Sequence, residues 1–196
     1  MTAGSIPPQA EPPARSLDPV AILRRDNTLL EMLATGFRRL GSSLDTTTAL
    51  DEKRIEEGLE IHRRFLVEIH HTIVEMLDGA LDQLPGSPLK AARGACRREH
   101  DAAVRASEGF RRDFDAVRRR EPGARNRFKA ALFAEADRWT AHARAEEENL
   151  FAQLPDSFRR EAAAHVGDLV RRFRAESSAV EERLSSWTSS WGPASD

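Results

Sequence analysis

Histidine followed four residues later by glutamate occurs twice, as His71 with Glu75 in HTIVE and as His142 with Glu146 in HARAE. On a helix, residues four apart lie on one face, one turn from each other. Each pair can therefore aim an imidazole nitrogen and a carboxylate oxygen at a common point. That mixed donor set suits iron, manganese or zinc rather than calcium. His100, in EHDAAV, offers a third nitrogen. Singly, a histidine on a helix is more often a surface or core residue than a ligand, so the case rests on the three coinciding in space.

The elements that must bring them together follow from composition and punctuation. Alanine, arginine, leucine and glutamate dominate the 196 residues, glycine is low and tyrosine is absent, which favours helix throughout. MTAGSIPPQAEPPARS is proline-rich with little to bury, so residues 1–17 are expected to be a disordered tail. Asp18-Pro19 then makes a helix start. Helix A is expected over about 18–41, followed by the polar segment GSSLDTTTALD. Helix B is expected over about 52–84, ending at Pro85-Gly86, and helix C over about 88–120, ending near Pro122-Gly123. Helix D should cover about 124–154, up to Pro155. Helix E should cover 155–187, with 188–196 a flexible tail. Short loops between long amphipathic helices predict an all-α fold, an antiparallel up-down four-helix bundle over 18–154 with a fifth, C-terminal helix. Helix E could pack on the bundle or form a homodimer seam.

With a rise of about 1.5 Å per residue, His71 and His100 fall at similar distances from the B–C turn, and His100 and His142 from the C–D turn. His62 lies about half a turn round the helix from His71, His70 is about 100° off the ligand face, and His165 belongs to helix E. These three are expected to be non-ligands. Trp139 and Cys96 lie one turn before His142 and His100, and Leu23, Leu30, Phe37, Val74, Val104 and Phe151 could supply apolar lining. Glu147 and Glu148 read as a solvated face, with a role in orienting a ligand histidine as the alternative.

HTIVE, EHDAAV and HARAEEENLF in that order on successive helices resemble the haemerythrin-like, HHE cation-binding family, over about residues 18–154. The resemblance implies a four-helix bundle holding two non-haem irons, with Glu75 and Glu146 bridging and His71, His100 and His142 as terminal ligands. It is incomplete on helix A, where the family's Asp-His is replaced by Asp26-Asn27. A second helix C histidine found in haemerythrins themselves is here Val104. Asn27 could bind through its amide oxygen, Asp26 could serve as a carboxylate ligand, or the position could stay open to water or substrate. A single-metal site is the simpler variant.

The net charge of −2 offers no field for nucleic acid or an anionic membrane, so neither is expected as a partner. RRREPGARNR (118–127) is broken by Pro122-Gly123 and reads as a solvated turn. The one cysteine, Cys96, rules out an intrachain disulfide. With no signal-like start and no apolar run long enough to span a bilayer, a cytoplasmic location is expected. Without tyrosine, a tyrosyl-radical role has no residue to carry it. The leading expectation is a diiron protein that binds and activates dioxygen, an oxidoreductase acting on a small-molecule substrate at an open iron position. A non-catalytic binder of oxygen, nitric oxide or iron follows closely, with an interaction module on a degenerate bundle third.

Overall fold

The computed structural model describes residues 19–46, 50–72, 89–153 and 178–191, and every regular element among them is helical. Helix α1 spans Pro19–Thr46 and α2 spans Glu52–His62, continuing into a π-helical segment, Arg63–His70. Helix α3 spans Leu89–Arg118, α4 spans Ala124–Asn149, and a short 3-10 turn, Phe151–Gln153, follows. Residues 178–189 form the last helix, α5. The expected N-terminal tail, the Pro85-Gly86 turn, residues 73–84 of helix B with Glu75, and helix E before residue 178 lie outside the described residues. No helix among the described residues is long and apolar enough to cross a membrane.

Local chemistry accounts for the boundaries. Asp51 caps α2 by accepting the Arg54 backbone N–H at 3.1 Å. The α3–α4 connection is an exposed turn in which Gly123 takes φ 73°, a left-handed conformation that favours glycine. Helix α1 runs five residues past the expected end at 41. Its apolar stripe does not stop there: Leu44 continues Leu33, Phe37 and Leu40 at helical spacing and is buried with them.

The tightest pairing is between α1 and α4. Arg24 meets Glu147, Asn27 meets the Ala143 carbonyl, Arg38 meets Asp137, and Lys129 meets Asp45. Partners rise along one helix as they fall along the other, so the two helices run in opposite senses. Between them Leu30, Leu33 and Phe37 of α1 pack with Phe128, Leu132, Ala136 and Trp139 of α4 in a continuous core.

Helix α5 closes the α1–α2 side of this core within the same chain. Val180, Leu184 and Trp187 are buried. The Trp187 indole lies in a slot made by two glycines: a Cβ on Gly36 would fall 2.1 Å from its ring, and one on Gly58 2.2 Å. Its N–H donates to the Arg54 carbonyl at 2.8 Å, and Arg54 in turn lies over the Trp191 ring at 4.9 Å. Truncating Trp187→Ala should cost about 3–5 kcal/mol, and Gly58→Ala about 1–3 kcal/mol by overfilling the slot. Denaturant melts that leave Gly58→Ala at wild-type stability would mean the slot is loose.

Candidate metal centre

Four side chains from three helical segments converge in the core. His70 ends the π segment, His100 comes from α3, and His142 and Glu146 come from α4; one donor atom from each lies within 4.8 Å of all the others. All four are at most 2% exposed. The Nε2 atoms of His100 and His142 are 3.3 Å apart, and His142 Nε2 lies 3.3 Å from Glu146 Oε1. From α1, Asp26 brings a carboxylate oxygen to 3.8 Å from His70 Nδ1. Asn27, beside it, is 8% exposed.

His100, His142 and Glu146 are thus brought together, but the helix B contribution differs from the one expected from spacing. His70 is fully buried in the group, whereas His71 is half-buried outside it, its ring 5.1 Å from that of His100. The cause is the π segment. His71 N–H donates to Leu66 O, five residues back rather than four, so the chain turns less per residue. In an α-helix His62 and His70 would point about 80° apart. With the wider winding, both face the core. Glu75 lies outside the described residues, as does the side chain of Cys96.

Electrostatics divide the cluster. Burial lowers the His100 imidazole to about 2, helped by repulsion from His70, His142 and His71, so it is neutral with lone pairs to offer. Burial also pushes His142 down, but the Glu146 and Glu99 carboxylates push it up by more, to about 9. Burial likewise raises the Glu146 carboxyl, and His142, with smaller help from His70 and Asn27, more than reverses this and keeps it ionised. Glu99 accepts from His142 Nδ1. A carboxylate can only accept, so Nδ1 carries the proton and Nε2 is turned to the cluster. Glu147 and Glu148, the alternatives for this orienting role, instead pair with Arg24 and Arg144 on the surface.

Many polar atoms here have no hydrogen-bond partner: both nitrogens of His70, His100 Nδ1, both Glu146 oxygens, Asp26 Oδ2 and Asn27 Oδ1. A buried polar atom left so costs about 1–3 kcal/mol, and this concentration fits a group that binds a cation. Three imidazoles and a carboxylate fit iron, manganese or zinc.

About two turns back along α4 from His142, a second buried carboxylate, Glu135, has partners at both oxygens. Glu135 Oε1 accepts from Trp139 Nε1 at 2.6 Å and from His62 Nε2 at 3.0 Å, while Arg138 neutralises Oε2. Burial, with Arg138 nearby, lowers His62 to about 3. The Trp139 ring stands edge-on to His142 at 5.3 Å, so this group also walls the cluster. Sequence reasoning placed Trp139 here but missed His70, Glu99 and Glu135. The EH pair at 99–100 was the available signal for Glu99.

No protein-family model, curated protein or solved structure matches the chain.

Since folding lowers the His62 and His100 imidazoles, the unfolded chain binds more protons below about 6.5, and stability should fall as pH drops through that point toward about 3. Each histidine contributes up to about 1.4 kcal/mol per pH unit. His62→Phe should flatten this slope by its share; equal slopes for both proteins in denaturant melts would show that His62 is not held neutral.

Proposed function

We propose that this chain is a non-haem iron protein of the haemerythrin-like kind, built on an antiparallel four-helix bundle, that binds and activates dioxygen. The observation that carries the reading is the buried group of His70, His100, His142 and Glu146 with its unsatisfied donor atoms. The opposed α1–α4 pairing and the five-residue turn between α3 and α4 support the bundle. The motif order along the chain supports iron. Four protein ligands would leave an iron ion positions for a further ligand, with Asp26 and Asn27 beside them. Iron held there would supply the electrons for dioxygen chemistry.

The chain's own residues do the positioning. Glu99 fixes the His142 ring from outside, and Trp139 braces its edge. Leu30, Phe37, Leu66 and Phe151 are buried in the surrounding core, which excludes water and limits proton leakage. A second iron would use Glu75 and His71, as the resemblance implies. Turnover of a small substrate at an open iron position makes the protein an oxidoreductase. The depth of burial favours a second reading, a non-catalytic oxygen, nitric oxide or iron binder, because ligands exposed by 2% or less admit a diatomic more readily than an organic molecule.

Iron per chain, measured after anaerobic ferrous loading and desalting, tests the metal. One or two ions are expected, and binding should raise the melting temperature by mass action. His142→Ala should abolish the ion, His70→Ala should cost more affinity than His71→Ala, and Glu99→Ala should weaken binding about 10–100-fold. Wild-type protein that retains no iron would sink the proposal. Consumption of oxygen with a co-substrate would then select the oxidoreductase, and a reversible oxygenated spectrum the carrier.

A further inference from the structure

A groove of about 540 Å³ lies on the surface between α1 and α4, directly over the wall of the buried cluster. On α4, His142 and Glu146 face inward while their sequence neighbours Ala143 and Glu147 line the groove. On α1, Asp26 faces the cluster, and Asn27 lines the groove. The Asn27 side chain and Ala143, which line the groove, are thus chain neighbours of residues that face the cluster. Asn27 Nδ2 donates to Ala143 O at 3.2 Å, which leaves its buried Oδ1 without a donor. Asn27 thus lines the groove beside Asp26, which faces His70, and bonds the residue that follows His142.

The groove's charge is not balanced. Its two guanidiniums are committed, Arg24 to Glu147 and Arg144 to Glu148. Glu31, exposed on the same rim, has no ion-pair partner among the described residues. Thr28 adds a hydroxyl oxygen on the rim, while that of Thr140 accepts from Arg38, which is itself paired with Asp137. Carboxylate, hydroxyl and amide oxygens are hard donors suited to a hydrated divalent cation, and an excess negative charge in a concave site raises local cation concentration. An anion would meet the opposite field.

On the reading of the cluster as a metal centre, we infer that this groove is the loading route for the metal ion: Glu31 attracts the hydrated divalent cation, and the Asn27 amide oxygen passes it through the wall to Glu146 and His142. Asn27 is thereby a gate whose side chain must swing off Ala143 to open.

Cobalt(II) uptake by the metal-free full-length protein, followed by stopped-flow absorbance, tests this. Glu31→Gln should slow uptake about threefold at low ionic strength, an effect that fades in high salt, with the dissociation constant unchanged. Glu57→Gln, an exposed carboxylate on α2, should load at the wild-type rate. Asn27→Leu should slow both uptake and removal by a chelator by similar factors, the signature of a gate. Should that variant fail to fold by circular dichroism, Glu31→Gln on the surface still decides. Wild-type kinetics in Glu31→Gln, with cobalt bound, would overturn the route while leaving the metal centre intact. Failure of the wild type to bind cobalt at all, with His142→Ala indistinguishable from it, would overturn both. Saturable binding in the groove of n-butylammonium, with no change in cobalt uptake, would mean an organic cation site instead.

Discussion

The interaction on which the rest depends is a buried carboxylate set against imidazoles. Glu146 is fully buried, and an ionised carboxylate there is costly unless opposite charge or a cation compensates it. His142 supplies that charge, held protonated between Glu146 and Glu99. His100 stays neutral because it is deep among other imidazoles. The cluster is thus a centre whose charge can be balanced by a proton on His142 or by a cation among the same atoms. Either way, the helices must be stiff enough to hold four donors together against water's competition.

The core meets the cost of buried polarity in two ways on the same helix, about three turns apart. Around Glu135, both oxygens have partners and the group behaves as structure: His62, Trp139 and Arg138 close it. Around Glu146, no oxygen receives a well-formed hydrogen bond, and the neighbouring Asp26, Asn27 and His70 share the deficit. A buried carboxylate with both oxygens partnered helps specify a core, whereas one with neither, among neighbours that share the deficit, invites a ligand. The Glu135 group braces the Glu146 group, because Trp139 is bound to Glu135 at its nitrogen and touches His142 with its ring.

The packing that keeps this geometry rigid reaches well beyond it. Trp187 of α5 lies in the Gly36–Gly58 slot and contacts Phe37, which stacks on His62 at 5.2 Å. A helix remote in sequence therefore supports the same layer of rings that flanks the cluster. The cation-rich surface of α1 serves this docking too, since Arg25 and Arg39 bond α5.

Helical class, the turn at Pro122-Gly123 and the buried pair His142–Glu146 were legible in the sequence, because each depends on local spacing or on residues with restricted backbones. So was the burial of Leu30, Phe37, Trp139 and Phe151. The identity of the helix B histidine was not. A spacing argument assumes a constant turn per residue, and the π winding of 63–70 changes that turn, bringing His70 into the buried group beside His71. The partners of Glu99 and Glu135, and the end of α1 at Thr46 rather than near 41, likewise depended on what lies across the helix interface. Sequence by itself determined which residue types could bind a cation and that helices would carry them. Only the tertiary structure decided which donors meet, because the phase of each helix is set by the packing of its whole length and not by any one motif.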